Sequence, residues 1–232
     1  VNLAWERLAE GIHRCRLPFL DVTVGLVCGR TGTLLIDTGT TLLEANAVKA
    51  DVAELAGGLV NHIVLTHNHF DHILGSSAFA DATVYCAPEV AATIASRTEE
   101  LRADAVRHGA DADEVTSAIA ALRVPRHRAG EAGLDLGGRS VTIIHPGPGH
   151  TNHDLIVVVA DAQPAVVFCE TSSRSPAIRS SVRDSDQKAW PATLGRVLVA
   201  GGPDAAYVPG HGAVVDAEFV QRQGWMLRST QV

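Results

Sequence analysis

Thr66-His67-Asn68-His69-Phe70-Asp71-His72 follows directly on the apolar run Ile63-Val64-Leu65. A short apolar run of this kind reads as a buried strand, so four side chains of metal-ligand type cluster just past a strand's end. A tight turn there splays His67 and His69 one way, Asp71 and His72 the other. Imidazole nitrogen and carboxylate oxygen suit zinc, and catalytic zinc sites keep a position open for water. Two ions held side by side can share one hydroxide and attack an acyl or phosphoryl centre. A lone His-x-His is common on protein surfaces, whereas His-x-His-x-Asp-His after a strand is a specific signal.

Working outward, Thr33-Leu34-Leu35-Ile36-Asp37 reads as a buried strand, and Thr41-x-x-Glu44 as a capping box that opens a helix. Val48, Val52 and Leu55 give that helix an apolar face and Gly57-Gly58 closes it. With strand 62–66 this is a βαβ unit, its chemistry at the strand's C-terminal edge, where α/β sheets place ligand sites. Upstream, the alternating run Ile12 to Leu17 and the run Val22 to Val27 read as strands joined by Pro18-Phe19-Leu20. Downstream, Thr83 to Cys86 is a short strand, and from Pro88 to about Arg128 the pattern turns helical. Val90, Ile94 and Leu101 share one face there, and Asp111-x-x-Glu114 caps a second helix. His108 and His127 lack ligand spacing and read as solvated.

Strands resume at Leu134 to Leu136 and Val141 to Ile144. The turn His145-Pro146-Gly147-Pro148-Gly149-His150-Thr151 presents His150 at its tip, a second strand-then-histidine arrangement. His153-Asp154 opens the strand Leu155 to Val159; His153 reaches the cleft or is structural, and Asp154 backs the site or caps the strand. Val166-Val167-Phe168-Cys169 leads into Glu170-Thr171 and a serine-rich loop, in which Ser172 and Arg174 are candidate contacts for a substrate carboxylate. Pro191 sits near the first turn of a helix begun by Trp190. Ala205 to Val208 precedes Pro209-Gly210-His211-Gly212, a third strand–turn–histidine, and Asp216 caps a C-terminal helix.

The 232 residues allow one large core. A net charge of −7 with 4% aromatics lacks the basic, stacking footprint of a nucleic-acid binder. No apolar run approaches a membrane span, and Val1 to Arg7 has no charged-then-apolar leader pattern, so the sequence predicts a cytoplasmic protein with a small-molecule substrate. Cys15, Cys28, Cys86 and Cys169 show no paired spacing and are read as reduced thiols.

His67-x-His69-x-Asp71-His72 resembles the signature of the metallo-β-lactamase superfamily of hydrolases. Asp37-Thr38-Gly39, the Pro-Gly-x-Gly-His-Thr segment around His150 and the Gly-His-Gly around His211 are similar to three further motifs of that family. The resemblance runs from residue 12 to the C-terminal helix. It implies an α/β fold, a four-layer αββα sandwich of two mixed β-sheets packed face to face with helices outside. Residues 1–232 would form a single domain with a helical insert at about 88–130.

The resemblance further implies two zinc ions, one on His67, His69 and His150 and the other on Asp71, His72 and His211, with Asp71 also orienting the nucleophile. Asp37, and in one reading Asp154, would hold ligand rings from behind. Phe19 either folds over the substrate or packs inward, and Phe70 is a candidate substrate contact. Glyoxalase-II-like and lactonase-like members end the strand before the serine-rich loop with Gly-Asp, whose carboxylate bridges both metals. An ungapped reading puts Glu170 and Thr171 there instead, which predicts a weak second site and a β-lactam-type substrate; the alternative is that Glu170 reaches in. The implied activity is opening of a cyclic amide or ester by a metal-activated hydroxide. Thioester hydrolysis is the runner-up, followed by a persulfide dioxygenase with one non-haem iron and by an impaired metal binder.

Overall fold

The computed structural model describes residues 2–128, 131–172 and 185–229. Two mixed sheets form its centre. The first has seven strands in sequential order: β1 (Trp5–Ala9), β2 (Ile12–Arg16), β3 (Thr23–Cys28), β4 (Thr33–Ile36), β5 (His62–Leu65), β6 (Thr83–Cys86) and β7 (His127–Arg128). Pairing is antiparallel from β1 to β4 and parallel from β4 to β7. The second comprises β8 (Glu131–Asp135), β9 (Ser140–Ile144), β10 (Ile156–Val159), β11 (Val166–Ser172) and β12 (Ala206–His211), ordered β12-β11-β10-β9-β8. Only β11 and β12 pair parallel.

Alternation along the second sheet builds the layers, because successive side chains of a strand face opposite sides. Val157, Val159, Val166, Phe168 and Val208 join the core shared with the first sheet. Ile156, Val158, Val167, Cys169 and Tyr207 join a separate cluster under α6 (Trp190–Gly201) and α7 (Ala217–Ser229). Gly25 in β3 has no side chain, and the Phe168 ring fills the space a Cβ would need, so the sheets interlock there. On the outer face of the first sheet, α1 (Leu42–Ala56) buries Ala45, Val48 and Val52. The result is the expected αββα sandwich.

Local chemistry explains the helix ends. Thr41 and Glu44 form the reciprocal capping box, and Gly57 ends α1 at φ 65. Leu55, expected on the buried face, is 37% exposed; the fourth buried position is Asp51, which binds the N-terminal segment. The segment expected to hold two helices holds three: α3 (Pro88–Ser96), α4 (Thr98–Arg107) and α5 (Ala112–Ala121). The chain breaks at Arg97, whose φ −126 and ψ 30 leave the helical region, and Val90 and Leu101 consequently lie on different helices.

Candidate metal centre

Strand β5 ends at Leu65, and Thr66 to His69 turn into the one-turn helix α2 (Phe70–Ile73). That geometry separates the ligand-type side chains into two groups. His67, His69 and His150 bring one nitrogen each within 4.8 Å of one another, and Asp71, His72 and His211 do the same with their ligand atoms. His150 Nε2 lies 3.2 Å from His69 Nδ1. In the second group His72 Nε2 lies 3.2 Å from His211 Nε2, and Asp71 Oδ2 lies 3.4 Å from His211 and 3.8 Å from His72. Ligands about 2.0–2.1 Å from a tetrahedral ion are separated by edges of about 3.3 Å, so these spacings fit a zinc-sized cation. The rings of His67 and His72 join the groups, with centroids 4.2 Å apart.

Hydrogen bonds behind the rings decide which nitrogen carries a lone pair. Asp37 Oδ2 lies 2.7 Å from His72 Nδ1, so that nitrogen donates and Nε2 is left to ligate. The Thr66 hydroxyl donates to the same carboxylate at 2.8 Å and therefore accepts from His67 Nδ1 at 2.9 Å. His67 Nε2 is buried with no hydrogen-bond partner among the described residues. The Leu20 carbonyl lies 3.0 Å from His211 Nδ1, which leaves that ring's Nε2 as acceptor as well. Two acceptor nitrogens 3.2 Å apart, on His72 and His211, repel unless a cation lies between them. An orphaned buried Nε2 and a facing pair of lone pairs are what a metal site requires.

The electrostatics agree with this reading. His67 and His150 are held well below the usual imidazole range, first by burial and then by the neighbouring histidines, which keeps them neutral. Burial also disfavours charge on His72, but the Asp37 and Asp71 carboxylates outweigh it and lift the value to about 10. Without metal, a proton on His72 can take the cation's place. Burial pushes Asp71 up, and His72 and His211 outweigh it to bring it below the ordinary carboxylate value.

His150 is placed by a braced turn. Asp154 accepts from the Thr151 amide at 2.8 Å, from the Thr151 hydroxyl at 2.6 Å and from the His150 amide. It thus holds the turn's main chain, and burial raises its carboxyl to about 7. From α6, the Thr193 hydroxyl donates to the Pro148 carbonyl at 2.6 Å, and Arg196 donates to the Pro146 carbonyl.

Glu170 reaches the seam between the groups. Its carboxylate lies 3.9 Å from His67 Nδ1, and Glu170, His67 and His72 form a third buried group of ligand atoms within 4.8 Å. Alternation explains this: Val166 and Phe168 face inward, so Glu170 does too. Gly210 in β12 makes room, since a Cβ there would overlap Glu170 Oε1. Glu170, which one of the two sequence readings has reaching in, thus lies beside His67 and His72, on the Nδ1 side of the His67 ring. Thr171 is buried one position on, where the β11–β12 register slips. Burial raises Glu170 to about 8, with His72 pulling the other way.

The other candidates fall differently. Phe70 is 3% exposed with its ring 5.5 Å from that of His108, so it packs against the helical insert. His153 is 4% exposed, its Nδ1 2.7 Å from Asn152 Oδ1, and lies close enough to His67 and His150 to disfavour charge on both. Phe19 is half-buried, its amide donating to the Glu44 carboxylate. The Ser172 side chain and Arg174 lie outside the described residues. Thr66 was missed in the sequence. A hydroxyl directly before a ligating histidine and within reach of the Asp-Thr-Gly carboxylate was the available signal.

Residues 17–211 match the model of the metallo-beta-lactamase superfamily. The chain belongs to that superfamily. Solved metallo-β-lactamases share the architecture. FIM-1 from Pseudomonas aeruginosa in its mono-zinc form superposes with a TM-score of 0.74 at 16% identity, covering 100% of this chain and 97% of that one. TMB-1 gives 0.72 at 16% identity with full coverage of both chains. The Erythrobacter litoralis enzyme, with beta mercaptoethanol in its active site, gives 0.71 at 18% identity over 98% of this chain and 97% of that one. At these identities the likeness establishes the fold alone. Among the described residues of this superfamily member, no helix is long and apolar enough to cross a membrane.

Proposed function

We propose that the protein is a dinuclear zinc hydrolase that opens a cyclic amide or ester, of β-lactam or lactone type. The observation that carries this reading is the pair of ligand groups meeting at His67 and His72, each presenting lone pairs at zinc-ligand spacing. His67, His69 and His150 would hold one ion; Asp71, His72 and His211 the other, with Glu170 at the seam. Zinc bound there supplies Lewis acidity and brings the pKa of water down to about 7.

The chain's own residues prepare the site for that chemistry. Asp37 and Thr66 fix the protons of His72 and His67 on Nδ1, so both rings enter in the ligating tautomer without rearranging. Asp71 keeps a carboxylate oxygen at the His211 side of the cleft, where it would accept a hydrogen bond from the attacking water and aim it at the carbonyl carbon. Burial of His67, His72 and Asp71 excludes bulk water, which strengthens each of these interactions. With metal bound and its proton lost, the buried Glu170 carboxylate would offset part of the repulsion between two cations.

That last feature favours a second reading, a glyoxalase-II-like thioesterase, because such members carry a carboxylate from this strand end. A panel of lactam, lactone and thioester substrates assayed on zinc-loaded protein separates the two. Lactam or lactone turnover exceeding thioester turnover supports the first; the reverse order supports the second. No hydrolysis by a chain that binds two zinc ions would refute both. Glu170→Gln should weaken the second ion's binding, and unchanged affinity would remove Glu170 from the site.

A further inference from the structure

Leu20 and Asp21 both adopt left-handed backbone, with φ of 56 and 61. For a residue such as leucine this backbone is strained, because Cβ crowds the following carbonyl, and such conformations persist only where the surroundings over-determine them. Three contacts do so. The Phe19 amide donates to the Glu44 carboxylate at the start of α1. The Asp21 carboxylate takes both prongs of the Arg16 guanidinium, at 2.5 and 2.7 Å. The Leu20 carbonyl accepts from His211 Nδ1 at 3.0 Å, while Val22 pairs with His211 in an isolated antiparallel bridge. The left-handed pair thus turns the Leu20 carbonyl onto a ring that belongs to the second ligand group.

We propose that Leu20 is a positioning residue for that group and that the Pro18–Asp21 loop and the metal stabilise each other. A carbonyl can only accept, so its placement holds the His211 proton on Nδ1 and turns Nε2 toward Asp71 and His72. Conversely, a cation held at Nε2 would keep Nδ1 a donor and so hold the loop through Leu20. Coupling of this kind is reciprocal. The inference rests on reading Asp71, His72 and His211 as a metal site.

Two measurements test it. Leu20→Pro fixes φ near about −65° and cannot present the carbonyl, whereas Leu20→Gly adopts a positive φ freely. By chelator competition, Leu20→Pro should lose about 10–100-fold in affinity for one of two zinc ions, leave the other unchanged, and be contrasted with full affinity in Leu20→Gly. Unchanged affinities in Leu20→Pro would overturn the proposal. Should that variant not fold, amide hydrogen exchange on the wild-type chain decides. Zinc should slow exchange at Phe19 to Val22, and should fail to do so in Asp71→Asn. Exchange unaltered in a wild-type chain carrying two zinc ions would refute the coupling alone. A wild-type chain that binds no zinc would refute the metal reading with it.

Discussion

Asp37 Oδ2 stands 2.7 Å from Nδ1 of His72, and the same oxygen takes the hydroxyl of Thr66 at 2.8 Å. One carboxylate therefore sets the proton position on both rings at the seam, directly for His72 and through Thr66 for His67. Asp37 is itself held at φ 58, a conformation that asparagine also tolerates. Asp37→Asn should accordingly keep the backbone but offer its amide hydrogens to His72, moving the ring's proton to Nε2. The expected outcome is a folded chain with about 10–100-fold weaker zinc binding, measured by circular dichroism and chelator competition. Undiminished affinity would show that the tautomer is set elsewhere.

Thr66→Val removes the hydroxyl at nearly constant volume and leaves the His67 Nδ1–H without an acceptor in a fully buried position. A loss of about 1–3 kcal/mol in apo stability is expected, together with weaker zinc binding, while Thr66→Ser restores both. Equal melting temperatures for Val and Ser variants would contradict the relay.

Gly210→Ala places a Cβ on the Glu170 carboxylate. Overpacking of this kind costs about 1–3 kcal/mol. Adding Glu170→Ala should return most of that cost, a coupling read from a thermal double-mutant cycle. Additive losses would mean that the two side chains do not meet.

Asp51 ties the N-terminal segment to α1 through the Asn2 amide, the Leu3 amide at 2.8 Å and Trp5 Nε1 at 2.9 Å. Burial pushes its carboxyl up, but these donors outweigh it, so the folded value lies below the ordinary one. A group lowered on folding adds stability above its unfolded pKa of about 3.9, and that stability fades as pH falls through the folded value. Asp51→Asn should thus melt below wild type at neutral pH, with the gap narrowing in acid. A gap independent of pH would assign the effect to hydrogen-bond geometry alone.

Much of this was legible in the sequence because it is local. The capping box of Thr41 and Glu44, the glycine ending α1, the strands that deliver His67, His150 and His211, and the Asp37 motif each declare themselves within a few residues. What was hidden depends on distant pairing. Motif spacing left Glu170 open between the ungapped register and a reach inward; the inward parity of Val166 and Phe168 favours the second, but the space at Gly210 appears only once β11 and β12 pair. Phe70 looked available beside the ligands, yet α4 folds over it. Leu55 fits a helical face by periodicity, although α1 turns Asp51 inward to hold Asn2, Leu3 and Trp5, nearly fifty positions away.

Zinc content per chain, by elemental analysis after dialysis against zinc, tests the central claim most directly, with His69→Ala and Asp71→Asn run beside the wild type. Two zinc ions in the wild-type chain and one in each variant, all folded by circular dichroism, is the predicted result. A wild-type chain that holds no zinc, or variants that both retain two ions, would contradict the dinuclear site.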